Sequence, residues 1–466
     1  MNNILNRRGF LGLCSLGIVG FGAEYRSDAQ TLKLPPIVRA KFENGIEIAL
    51  MEYRKAPLLS VIAMFWGGET LDPEGKTGVA GLTADLLRKG TQKRTATQIA
   101  EEIDFLGGSL GTGANNDSLT ASLYVSTKDT AAGLDLFADV IRNATFPQEE
   151  LDRERQLQVA RLQSLADEPG QVANLVLNQV VFEAHPYGRS ATISSLGTIT
   201  RDDITAYNTG VVRPERMLIV AVGDFKTSEF LAKLKTHFGE WSIAGEAKPL
   251  ETRKPAPIPK RLVIVDKKDA TQTQARWGRI ALPRNHPDYF AVQVASGILG
   301  GGFTSRLVDE IRVNQSLTYG IGSSFDMEAL GGDFNVSTFT KLETTRKLID
   351  SVEAVLQKAA GKGFTAGEVA KVKGYLAGQY AIRLQTPQAL AGQLAAMVFF
   401  RLPDDYMTTY ITKLKAVPLA ELNRVAREHF APSQLSLILV APADKIKAQL
   451  NGLPAPDIRP VEQIGK

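Results

Sequence analysis

Residues 78–91 read GVAGLTADLLRKGT. Apolar side chains recur at helical spacing through Val79, Leu82 and Leu86, so the stretch is expected to form a helix with one buried face. A helix that holds zinc carries two His four residues apart, with a Glu beside the second. That spacing puts both imidazoles on one face and the carboxylate next to the bound water. Here the corresponding positions hold Gly81, Ala84 and Asp85. The frame of such a helix is kept and its reactive side chains are missing.

Working outward, the chain has 466 residues, enough for two to four domains with more than one sizeable core. Its 44% hydrophobic and 22% charged residues are those of an ordinary globular protein. The formal charge is +4, with no long basic run or interleaving of basic and aromatic residues, which argues against nucleic acid as a partner.

Residues 1–29 are expected to be a targeting segment. Arg7-Arg8-Gly9-Phe10-Leu11 is a twin arginine ahead of a short apolar stretch, and Ser27-Asp28-Ala29 places small residues where a signal peptidase reads them. The stretch is short and Gly-rich for a membrane span. Twin-arginine and general secretory export both stay open; either implies an exported, periplasmic chain. Removing three basic and two acidic residues leaves the mature charge at +3. Cys14, the single cysteine, lies in this segment, so the mature chain has no disulfide or thiol chemistry.

Residues 245–260, rich in Pro and charge, read as a linker. It separates a first domain, 30–244, from a second, 261–466. The two look like copies. A strand near Leu58–Phe65 precedes the helix at Gly78–Arg88, and a strand near Gln274–Ala281 precedes a helix at Asp288–Leu299. Each half closes with a polar helix, a proline turn and an apolar strand: ITAYNTGVVRPERMLIVAVGD and LNRVAREHFAPSQLSLILVAPAD. Pro214 and Pro432 take matching places, 218 residues apart. Within the halves, Thr95 with Gln98 forms a capping box, Pro147 opens a polar helix reaching about Ala166, and Leu218–Val222 and Leu435–Val440 read as central strands.

Other motifs fail on spacing. Glu74-Gly75-Lys76-Thr77 lacks the leading Gly of a phosphate loop, because that position is Thr70. Gly107-Gly108, Gly111 and Gly113 do not fit a dinucleotide fingerprint and read as a helix end followed by a strand. No two of His185, His237, His286 and His429 lie within one helical turn, and no G-x-S-x-G elbow occurs. What remains is LGGGFTSRLVDEIRVNQSLTYGIGSSF, where a turn at Gly300, Gly301 and Gly302 leads into a helix carrying Arg312, with Tyr319 seven residues on. If the helix continues, the two share a face; if it breaks, they converge differently. Arg clamps carbonyls and carboxylates, and a Tyr hydroxyl steadies an oxyanion.

Four segments together carry a resemblance: FWGGETLDPEGKTGVAGLTADLLRKGT, ELDRERQLQVARLQ, HPYGRSATISSLGTITRDDI and GGGFTSRLVDEIRVNQSLTYG. In order and spacing they resemble the M16 metallopeptidases of the pitrilysin and mitochondrial-processing-peptidase type, over nearly the whole mature chain. The resemblance implies an α+β fold of two homologous α/β-sandwich domains with antiparallel-rich sheets flanked by helices. The family's His-x-x-Glu-His falls on Gly81, Ala84 and Asp85, and its distal Glu ligand falls on Arg161. This implies that the chain binds no zinc, and an Asp85–Arg161 ion pair is expected in the vacated place. Arg312 and Tyr319 match the pair by which zinc-lacking subunits of split members face the partner's metal. The resemblance therefore implies a non-catalytic, substrate-binding subunit of a heterodimer, with zinc in the partner and an unfolded peptide as substrate. A structural core-type subunit and a free-standing peptide-binding or chaperone-like homodimer are the competing readings.

Overall fold

The computed structural model describes residues 33–466; the targeting segment and Cys14 lie outside the described residues. Two six-stranded sheets organise the chain. The first contains β1 (Ile37–Lys41), β2 (Glu47–Glu52), β3 (Leu58–Trp66), β4 (Ser109–Ala114), β5 (Ser118–Ser126) and β6 (Met217–Gly223), in the order β1-β2-β6-β3-β5-β4. The second contains β7 (Leu262–Asp266), β8 (Gln272–Ala281), β9 (Ile321–Met327), β10 (Gly332–Lys341), β11 (Ser436–Ala441) and β12 (Asp457–Pro460), in the order β12-β7-β11-β8-β10-β9. The orders are the same once β2 is matched with β7 and β6 with β11. Each sheet has a parallel pair, β2–β6 or β7–β11, inside otherwise largely antiparallel pairing. The outermost strand breaks the copy: β1 runs antiparallel to β2, whereas β12 runs parallel to β7.

The strands sit where their composition puts them. β6 and β11 are continuous apolar runs, and every residue of each is buried, as a strand covered on both faces requires. Residues 241–261 contain no helix or strand and join the halves. The proline turns at Pro214 and Pro432 open matching 3₁₀ turns directly before β6 and β11.

The halves are interlocked. Helix Pro169–Phe182, from the first half, lies across β8 and β11 of the second; helix Pro387–Phe399, from the second, lies across β3 and β6 of the first. Gly278 on β8 makes the first crossing possible, since a Cβ there would stand 2.8 Å from Leu177 Cδ1. On the other side Trp66 stacks on Phe399 with ring centroids 5.6 Å apart, Arg401 lies over the Trp66 ring, and its guanidinium bonds Glu47 at 2.6 and 3.1 Å. A polar joint completes the contact: Tyr187 donates to Asp117, whose other carboxylate oxygen accepts from Ala329 N at 2.7 Å, while Tyr187 Oη accepts from Leu330 N at 3.1 Å. Among the described residues no helix is long and apolar enough to cross a membrane.

Candidate functional site: a vacated metal helix and an exposed Arg/Tyr loop

Helix Val79–Leu86 starts sharply. Gly78 takes a left-handed φ of 107°, and Asp72 Oδ2 and Oδ1 accept from Gly78 N (2.6 Å) and Ala80 N (2.8 Å), capping amides the helix cannot satisfy itself. Leu82 and Leu86 are buried in the core of the first half, and so is Ala84. The helix packs on Gln148–Leu165, whose N-cap is Pro147.

These two helices bring the vacated positions together. A Cβ on Gly81 would meet only Gln158 Nε2, at 3.9 Å. Gln158 Nε2 donates to Asp85 Oδ2 at 3.1 Å. One turn away Lys89 Nζ pairs with Glu154 Oε1 at 2.7 Å. Burial raises the Asp85 pKa and the Glu154 charge adds to it; the Gln158 bond and the cations Arg161 and Arg88 pull it down. Arg88 itself reaches the sheet edge, donating to Thr112 Oγ1 (3.0 Å) and Leu110 O (3.3 Å) of β4.

The expected Asp85–Arg161 ion pair is not formed. Arg161 is exposed, and among the described residues its side chain makes no ion pair or hydrogen bond. Gln158, one turn earlier on the same helix, takes the carboxylate. A neutral amide satisfies the half-buried Asp85 without removing a guanidinium from water, whereas burying a charge pair costs desolvation of both partners. The donor set does not fit zinc. One carboxylate already held by an amide stands beside a glycine, with a buried alanine where the base would be.

The second region is the turn and helix at residues 300–320. Gly300 and Gly301 both donate to Ser296 O at 2.9 Å, and Ser323 N donates back to Gly300 O at 3.3 Å. A Cβ on Gly300 would stand 2.5 Å from Ser323 N, so the turn packs directly on β9. Gly302 has ordinary room, with only Tyr375 Cε1 at 4.0 Å. The following helix is wound as a π-helix over Val308–Asn314. It does not continue to Tyr319. Gln315 N bonds Glu310 O and Leu317 N bonds Ile311 O, and Ser316 takes a positive φ of 52°, which turns the chain out. Such wide turns recur at functional sites. Tyr319 then lies on a loop pinned beside it: Gly320 O accepts from Thr318 Oγ1 (3.0 Å) and Thr338 Oγ1 (2.9 Å). Arg312 is exposed and Tyr319 is 85% exposed.

Two residues here carry no motif in the sequence. Gln158 is named by no motif, and only the packing of two helices selects it. Phe303 is 81% exposed, with the Arg312 guanidinium 5.6 Å over its ring; a large aromatic directly after a triple glycine was the available signal. Two of the histidines are local struts. His185 Nδ1 accepts from Tyr187 N at 3.2 Å, and its Nε2 lies 2.9 Å from Arg253 O. His286 Nδ1 accepts from Asp288 N at 3.1 Å.

The family model for insulinase-type M16 peptidases matches residues 49–193, and the model described as the peptidase M16 inactive domain matches residues 198–376. An uncharacterized zinc protease of Mycobacterium leprae is 27% identical over 382 residues, covering 80% of this chain and 84% of that protein. A non-peptidase homolog from Helicobacter pylori is 23% identical, over 86% of this chain and 93% of its own. The solved peptidase M16 inactive domain from Pseudomonas fluorescens superposes with a TM-score of 0.82 at 26% identity, covering 87% of this chain and 98% of that one. With two repeated sheet-and-helix units and family matches along both halves, the chain belongs to the M16 peptidase family.

Proposed function

We propose that this chain is the non-catalytic, substrate-binding subunit of an exported M16-type zinc peptidase heterodimer. The observation that carries the reading is a contrast within one chain. The metal positions are Gly81, Ala84, Asp85 and Arg161, yet Arg312 and Tyr319 are retained and turned to solvent with their polar groups available. A purely structural subunit has no need of that pair.

The zinc of the partner supplies the activated water. This chain's residues bind and orient. The Arg312 guanidinium offers paired N–H donors to backbone carbonyls of an extended peptide, and the Tyr319 hydroxyl donates to the scissile carbonyl oxygen as charge develops there. The substrate class is unfolded peptide. Export rests on residues 1–29, and the periplasm follows from it.

The test is complementation. The chain without residues 1–29 is assayed on an unstructured fluorogenic peptide, alone and mixed with an M16 subunit that carries His-x-x-Glu-His. Silence alone and zinc-dependent cleavage on mixing support the reading. Equal activity of the partner with and without this chain contradicts it.

A further inference from the structure

We propose that Phe303 is a positioning residue for Arg312, holding the guanidinium by its ring face so that the N–H donors stay free for the peptide. The inference rests on the substrate-binding role of Arg312 proposed above.

Arginines in this chain are ordinarily held through their donors. Arg306, six residues earlier on the same segment, spends its guanidinium on Glu368 at 2.6 and 2.8 Å and on Gly363 O at 2.9 Å. Arg94 bonds three carboxylates. Such a guanidinium is fixed at the expense of most of its donors. Arg312 is different. Among the described residues its side chain makes no ion pair and no hydrogen bond, and its polar head lies 5.6 Å from the Phe303 centroid. A cation–π contact orients a cation through the ring quadrupole and consumes no N–H. It therefore restricts Arg312 while leaving all five donors open.

The ring is presented by a stiff base. Gly300 and Gly301 are locked onto Ser296 O and packed against Ser323 and Gly297, where no Cβ fits. Ser305 N donates to Gly302 O at 3.0 Å and closes the turn around Phe303. An aromatic that is 81% exposed on such a turn packs into no core, so its contact with Arg312 is the interaction it is placed to make. Fixing Arg312 before the peptide arrives lowers the ordering cost of binding.

The test is a double-substitution cycle on kcat/KM in the complex with a His-x-x-Glu-His subunit. Phe303→Leu keeps an apolar side chain and removes the ring face. It is expected to lower kcat/KM roughly two- to fivefold, mainly through KM, and Phe303→Tyr is expected to restore most of the loss. In an Arg312→Ala background Phe303→Leu is expected to have no further effect. An equal loss from Phe303→Leu in both backgrounds, or none with Arg312 present, overturns the inference. Full activity of Arg312→Ala alone overturns the substrate-binding reading itself. Because Phe303 lies outside the core, an unchanged thermal midpoint separates these outcomes from misfolding.

Discussion

Gln158 Nε2 donates to Asp85 Oδ2 at 3.1 Å, joining helix Val79–Leu86 to helix Gln148–Leu165 at the positions expected for metal ligands. The bond closes the vacated place with an amide and leaves Arg161 in solvent. Asp85→Ala should cost about 1 kcal/mol by leaving the amide short of an acceptor, whereas Arg161→Ala should stay within about 0.5 kcal/mol. Urea midpoints of the two variants and of Gln158→Ala, run as a cycle, check this. Coupling between positions 85 and 161 that exceeds coupling between 85 and 158 would sink the arrangement described.

The crossing of helix Pro169–Phe182 over the second sheet makes Gly278 a stability determinant. Gly278→Val drives a side chain into Leu177. Overpacking of this kind costs about 1–3 kcal/mol. Leu177→Ala in the Gly278→Val background should recover part of the loss, because it vacates the contested space. Thermal midpoints of the single and double variants decide the matter.

Stability should fall as pH rises from 6.5 to 8. Burial raises Asp333 and Glu69 to about 7, with the Asp72 charge adding to the latter, and burial against the Asp117 carboxylate raises Glu328 as well. At the bottom of that window each of these carboxyls is largely protonated when folded and ionised when unfolded, and for Asp333 and Glu69 the difference fades as pH passes about 7. Its share of stability is present at low pH and lost as pH climbs through the folded value, about 1.4 kcal/mol per pH unit while the difference lasts. His429, which burial lowers to about 4, and His237, which burial also lowers, tilt the curve the other way near pH 6.5 and lose that effect as the unfolded imidazole deprotonates above it. Glu368, held down to about 2 first by Arg306, adds no slope there. Urea titrations at pH 6.5, 7.2 and 8 should show the fall, and Glu328→Gln should flatten it. A curve flat in wild type would contradict the buried-carboxyl account.

Much of the fold was legible because its cues are local. The apolar runs at Leu58–Phe65 and Leu218–Val222 became β3 and β6, the Thr95–Gln98 box is formed, and Pro147 caps the helix that ends at Leu165. The matched prolines exposed the repeat. The exchange of Pro169–Phe182 and Pro387–Phe399 between halves was not legible, because an apolar helix does not say which sheet it will cover. The π-helix at Val308–Asn314 was hidden for a related reason: its hydrogen bonds run to wider partners without changing residue types. The hydrogen-bond partner of Asp85 was not legible either, because it depends on side-chain reach between two helices, which spacing along one helix cannot supply.

Tyr319→Phe removes a hydroxyl that is proposed to meet the developing oxyanion. In the assembled complex it should lower kcat by roughly 100-fold or more, about 3 kcal/mol, with KM little changed and assembly intact by gel filtration. Loss of assembly, or a full rate, would count against the role.

Mixing decides whether this chain serves a zinc-bearing partner. The chain lacking residues 1–29 and a His-x-x-Glu-His subunit are assayed separately and together on an unstructured fluorogenic peptide with zinc present. No cleavage is expected from this chain alone, and chelator-sensitive cleavage should appear or rise sharply on mixing. Chelator-sensitive cleavage by this chain alone would contradict it.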